Sequence, residues 1–155
     1  MTLYRFAHKK HAAALDGTGA RLFGGRWNPV GISCIYTSAH ISLALLEILA
    51  NAQTLEELQS IRLMEIQLPA TIAIGEVKLK SLKKDWQQDI DYTQWLGKEI
   101  IQSNELPVFS IPSAIVPNEN NFILNPLHPD FKKIKLTHQN DFHFDERLFR
   151  HSAIN

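Results

Sequence analysis

SCIYTSAHISLALLEILANA, from Ser33 to Ala52, sets a short β-branched and aromatic run directly against a longer apolar one. Ser33 to Ser38 reads as a strand. From about Ala39 to Ala52 the pattern becomes that of a helix, with Thr37 or Ser38 available to cap it. Ile41, Leu45, Ile48, Leu49 and Ala52 form its main stripe, while Leu43 and Leu46 fall on the other side. A helix apolar nearly all round is expected to be largely buried. Inside it stands Glu47, the only acidic residue between Asp16 and Glu56. A buried carboxylate needs a partner. Two readings stand: Glu47 serves a functional site, or it pairs with a structural arginine or escapes to solvent at the helix edge, since structural ion pairs perturb carboxylates too.

Outward from this stretch, LYRFA (Leu3 to Ala7) alternates as a first strand, and the glycine-rich segment after it reads as a loop or pair of turns. IRLMEIQLPATIAIGEV reads as two strands broken at Pro69. TQWLGKEIIQSN suggests a second helix capped by Thr93 and ending near Asn104. LPVFSIPSAIVP is extended, because Pro107, Pro112 and Pro117 each disfavour helix in the residue before. NNFILNPLHPDF and KKIKLTHQNDFHF supply two more strands. With no repeat and no linker, the order of elements predicts one α+β domain over residues 1–155 with a mainly antiparallel sheet.

The chain has 155 residues, 45% of them apolar, enough for one core. Sixteen basic and 16 acidic residues give zero net charge, so no global field gathers nucleic acid or anionic membrane, and any bound anion needs a local site. Cys34 is the only cysteine, which fits a reducing compartment. The amino terminus does not read as a signal peptide, and no apolar stretch is long enough for a bilayer. A soluble, cytoplasmic protein is expected.

Four of the seven glycines fall within GARLFGGRWNPVG, Gly19 to Gly31. This is not a phosphate loop, since the Lys-Ser/Thr ending is missing, and Leu22 stands where a dinucleotide fingerprint beginning at Gly17 needs its third glycine. The scattered histidines and lone cysteine make no zinc pattern, so no metal is expected. No G-x-S-x-G elbow is present. Arg26 can offer a planar fork to a pyrophosphate or carboxylate, and is the evident counter-charge for Glu47; equally, it can be a loop arginine stacked on Trp27. Tyr36 ends the strand before the Glu47 helix, Ser113 is pinned after Pro112, and Asn125 precedes Pro126 as a turn residue does. Singly, these three are ordinary packing or turn residues.

Together they carry a resemblance. LYRFA, GARLFGGRWNPVGISCIYTSAHISLALLEILAN, FSIPSAIVPNENNFILNPLHPDF and FHFDERLF occur in order along nearly the whole chain. In these blocks the sequence resembles the RES-domain toxins, the toxic partners of bacterial RES–Xre toxin-antitoxin pairs. By position, the family's arginine, glutamate and serine fall on Arg26, Glu47 and Ser113, and its associated tyrosine falls on Tyr36. Arg5 also matches a recurrent position. The segment from Gln53 to Gln94 matches less distinctively.

The resemblance implies a fold similar to the diphtheria-toxin-like ADP-ribosyltransferases and an activity that consumes NAD, by phosphorolysis, hydrolysis or ADP-ribosyl transfer. It also implies an Xre-like antitoxin that occludes the site. NAD carries a cationic leaving group, so its glycosidic bond needs stabilisation of the developing cation more than a general acid. One carboxylate then suffices where an ordinary glycosidase uses two. In this reading Glu47 faces the nicotinamide ribose, Arg26 clamps the pyrophosphate with Arg5 as a second cation, Tyr36 stacks nearby, and Ser113 fixes geometry. The alternatives are a non-catalytic nucleotide- or protein-binding module and a nucleic-acid-binding regulator; the latter lacks a basic stripe.

Overall fold

Seven strands form in the computed structural model, which describes residues 1–145, 147 and 148. They are β1 (Thr2–His8), β2 (Ile35–Ser38), β3 (Ile61–Gln67), β4 (Ile74–Glu76), β5 (Val108–Pro112), β6 (Asn120–Leu124) and β7 (Lys135–Asp141). One sheet joins them in the order β4-β5-β6-β2-β1-β3-β7. All pairs are antiparallel except β4 with β5. The expected α+β class with a mainly antiparallel sheet is what the chain adopts. Of the FHFDERLF stretch, Glu146 and Phe149 lie outside the described residues.

The sheet is loosest in its middle. β1 runs fully alongside β3, from Thr2 opposite Gln67 to His8 opposite Ile61. It meets β2 at one pairing only, Tyr4 with Ser38, so the two strands part beyond it. β2 instead continues its ladder with β6, from Ile35 opposite Leu124 to Ser38 opposite Asn121. Alternation then sorts side chains by face. Leu3, Ile35, Ile66, Leu68, Val108, Phe122 and Leu124 close one buried cluster, and Cys34, Ile111, Ile123, Trp27, Trp86 and Ile101 another.

Four α-helices stand among the described residues: α1 (Thr18–Phe23), α2 (Ile41–Asn51), α3 (Leu55–Gln59) and α4 (Ile90–Ser103). α1 lies inside the glycine-rich stretch that reads as turns in the sequence; it is one short segment ending at Gly24. α3 also escapes the sequence pattern, although Thr54 caps it by accepting from the Glu57 amide at 3.4 Å. α2 begins later than expected and is capped by neither Thr37 nor Ser38. Those hydroxyls are taken by the sheet: Thr37 donates to the Phe122 carbonyl at 3.0 Å and Ser38 to Asn121 Oδ1 at 2.6 Å. Nor is α2 largely buried. Leu43 and Ala44 are, but Ile41 and Leu46 are 37% and 43% exposed, because the helix lies over β1 and β2 with its other side in solvent.

α4 starts earlier than the sequence suggests. Asp89 is its cap, accepting from the Tyr92 amide at 2.9 Å, while Thr93 is buried and turns its hydroxyl back to the Asp89 and Ile90 carbonyls. Asn104 ends the helix in the left-handed region, with φ 52°. Among the described residues, no helix is long and apolar enough to cross a membrane.

Candidate functional site

A cavity of about 440 Å³ opens where β1 and β2 diverge beneath α2. Helical spacing brings Ala44, Glu47, Ile48 and Asn51 to one face of α2, and all four line it. Tyr36 and Ser38 enter from β2, Asn121 from β6, Tyr4, Arg5 and Phe6 from β1, and Gly24 to Trp27 from the loop after α1. Glu47, Arg26, Tyr36 and Arg5 therefore share one cavity, with Ser113 bonded to Glu47 behind it.

Glu47 is part-buried and has no cation within ion-pair distance among the described residues. Neutral donors hold it instead. Ser113 Oγ donates to Glu47 Oε1 at 2.8 Å, and Asn121 Nδ2 donates to the same oxygen. Ser113 is fully buried, and its Oγ accepts the amides of Ile115 and Val116 at 3.1 and 3.0 Å. Its lone pairs are thus engaged, and its proton is left for the carboxylate. The residue that seems ordinary beside Pro112 is set by the chain reversal between β5 and β6.

Arg26 is not the counter-charge of Glu47. Its Nη1 donates to the Gln87 carbonyl at 2.8 Å, in the 3-10 turn Trp86–Gln88, which leaves the rest of the fork for another acceptor. Arg5 sits in the split, donating over a long 3.4 Å to the Tyr36 carbonyl, with no carboxylate in ion-pair distance among the described residues. Burial lowers its pKa from the ordinary value, and the nearby Cys34 and Asp16 oppose that shift. An arginine stays charged regardless, so the cavity floor carries a guanidinium short of acceptors.

Tyr36 has a second task. Its hydroxyl accepts from the Trp27 amide at 2.9 Å and donates to Asn28 Oδ1 at 2.7 Å, tying β2 to the arginine loop. Burial, chiefly, pushes its phenol well above the ordinary range, and burial pushes the Cys34 thiol up to about 12. Both stay protonated near neutrality, so neither supplies a base. The glycine at position 25 is explained here. A Cβ there meets the Tyr36 hydroxyl at 2.7 Å and Asn28 Oδ1 at 2.9 Å; the space is taken by the protein's own brace.

Asn28, fully buried, was missed as a functional residue. Its Nδ2 donates to the Ala20, Pro29 and Ile32 carbonyls at 2.8, 3.2 and 2.9 Å, so one amide holds the loop around Arg26. Asn28→Ala is expected to lower unfolding free energy by about 2–4 kcal/mol, because it takes a donor from three loop carbonyls and leaves the Tyr36 hydroxyl without its acceptor. Denaturant melts of parent and variant measure this, and an unchanged midpoint excludes the bracing role. Gln94 was missed too, and donates from α4 to the Gly25 carbonyl at 2.8 Å. Asn125 is a turn residue as expected, fixed by Ile101 and Asn104. Among the described residues, no three His, Cys, Asp or Glu side chains gather as a metal site.

Comparison with known proteins gives consistent results. The family model described as RES domain matches residues 2–145. The chain is 37% identical over 154 residues to a protein of Photorhabdus laumondii named Toxin Res, covering 97% of this chain and 98% of that one. It is 32% identical over 148 residues to the Prs ADP-ribosylating toxin of a Sphingobium species, covering 93% and 92%. Among solved structures, the M. tuberculosis MbcT-MbcA toxin-antitoxin complex contains a chain of like fold, with TM-score 0.74 and 23% identity over 91% of this chain and 83% of that one.

Proposed function

The chain belongs to the RES domain family of toxins, and on that premise we propose that it consumes NAD by cleaving the bond between nicotinamide and ribose, inhibiting growth by depleting cytoplasmic NAD. The observation that carries this reading is one carboxylate, restrained on a single oxygen by neutral donors, in the same cavity as two arginines. Oε2 of Glu47 has no protein partner among the described residues. It is the oxygen available to stabilise positive charge developing on the nicotinamide ribose or to orient an acceptor. Arg26 holds the pyrophosphate with the part of its fork that Gln87 leaves free, and Arg5 adds a second positive charge. Tyr36 presents its ring to the cavity while its hydroxyl keeps the loop in place. Bringing substrate and carboxylate together in fixed geometry supplies much of the rate.

Arg26→Ala is then expected to raise KM for NAD by about 10-fold or more, through loss of charge-assisted hydrogen bonds, with a smaller effect on kcat. Arg26→Lys restores little, since an ammonium lacks the bidentate fork. Steady-state nicotinamide release measures both, and an unchanged KM in the alanine variant removes Arg26 from substrate binding.

The name of the Sphingobium relative favours a second version of the same chemistry, in which ADP-ribose passes to a protein side chain. An antitoxin of the Xre-like kind is the proposed partner. Phe23, a cavity-lining residue, is 83% exposed, and Leu22 and Val30 of the same segment are 52% and 68% exposed, an apolar rim that a covering protein would bury.

A further inference from the structure

The Glu47 carboxylate is held from two sides, and the second side belongs to residues the sequence pattern does not mark. Asn121 and Ser38 are cross-strand partners on β6 and β2, nearly buried at 9% and 3% exposure. Ser38 Oγ donates to Asn121 Oδ1 at 2.6 Å, and Asn121 Nδ2 donates to Glu47 Oε1. The amide can sit only this way round: a carboxylate accepts and never donates, so Nδ2 must face Glu47, which turns Oδ1 to the Ser38 hydroxyl.

We infer that Asn121, oriented by Ser38, is a positioning residue for Glu47, holding Oε1 in place so that Oε2 is the oxygen presented to the cavity. Ser113 and Asn121 approach the same oxygen from the β5–β6 reversal and from the β6 strand. Neither carries a charge, so the carboxylate is fixed without a counter-ion that would neutralise it. The path Ser38–Asn121–Glu47 also links the sheet to α2, a helix exposed on its outer side, by hydrogen bonds in addition to the apolar packing of Leu43 and Ala44. The inference rests on the NAD reading for its kinetic consequence and on geometry alone for its structural one.

Asn121→Asp is the informative variant, since it keeps the shape, removes the donor and sets a second carboxylate against Glu47. Two readouts are taken. Crystal structures of parent and variant are expected to show the Glu47 carboxylate displaced from Ser113 Oγ in the variant, with the sheet unchanged. Nicotinamide release from NAD is expected to fall about 10- to 100-fold in kcat, the scale of one hydrogen bond to a charged group, while KM changes less than about 3-fold; Ser38→Ala, which frees the amide to rotate, shows a smaller loss of the same kind. Adding Asn121→Asp to Glu47→Gln is expected to cost nothing further, because the residue acts through Glu47; a structural defect or an independent substrate contact gives additive losses. An unmoved Glu47 in the variant overturns the inference whatever the substrate. So do an unchanged kcat in an active protein and additivity in the double variant. A displaced Glu47 together with a parent that releases no nicotinamide upholds the positioning and overturns the NAD reading instead.

Discussion

A Glu47→Gln variant is expected to fold as the parent does and to release nicotinamide from NAD about 100- to 1,000-fold more slowly, a loss of ~3–4 kcal/mol in transition-state stabilisation. Glutamine retains a side-chain oxygen that accepts from Ser113 and Asn121, the two donors that now hold Oε1. What it loses is the negative charge and the second carboxylate oxygen. Folding is further protected because no cation among the described residues pairs with Glu47: Arg26 is bonded to the Gln87 carbonyl and Arg5 to that of Tyr36. The measurement is steady-state nicotinamide release alongside a thermal melt. A variant with the parental melt and near-parental turnover removes Glu47 from the chemistry, whereas a collapsed melt reassigns it to the fold.

Gly97→Ala is expected to have the largest structural effect of any glycine-to-alanine change in this protein. Gly97 lies in the middle of α4, where an alanine is ordinarily the better helix former. Here a Cβ falls 1.8 Å from the Trp27 carbonyl oxygen and 2.7 Å from the carbon behind it. Those atoms are backbone, so neither rotates away; α4 and the arginine loop must separate. Overpacking of a filled core typically costs about 1–3 kcal/mol, and with rigid backbone on both sides the cost is expected at or above the top of that range. The same displacement breaks the Gln94 bond to the Gly25 carbonyl and loosens Trp27 from Trp86, whose rings lie 5.6 Å apart. Stability and NAD turnover are therefore expected to fall together, as calorimetry and nicotinamide release on one preparation measure. A variant as stable as the parent contradicts the packing described.

The strands were legible from their hydrophobic patterns, largely alternating in β3 and continuous through β5 and β6, which are buried on both faces. The run into α2 was legible for the same reason, but its exposure was not: composition reports how apolar a helix is, while burial depends on what the fold lays over it. Thr37 and Ser38 had the chemistry of helix caps, and long-range sheet partners claimed both hydroxyls. Glu47 stood out as the lone acid in an apolar run and Arg26 as a fork between glycines and a tryptophan, whereas Tyr36 and Ser113 were singled out through the resemblance of whole blocks. Their joint presence about one cavity follows from the sheet order, which puts β2 between β1 and β6. The charge pairing of Arg26 with Glu47 was the natural guess from composition and is not what forms. Asn121 illustrates a further limit. In NNFIL it stands just before three consecutive buried apolar residues, and only its register opposite Ser38 reveals that it reaches Glu47. Gly97 and Gln94 were invisible for a related reason, since nothing local in α4 records which loop lies against it.

NAD cleavage in the Glu47 cavity is the proposal on which the kinetic predictions rest. Its most direct test is nicotinamide release by the purified parent protein, followed in phosphate buffer, in phosphate-free buffer and with candidate protein acceptors. Release is expected in at least one of these, with phosphate dependence marking phosphorolysis, release without phosphate marking hydrolysis, and release only with protein marking ADP-ribosyl transfer. NAD that binds and stays intact under all three conditions contradicts it and leaves the cavity as a binding site.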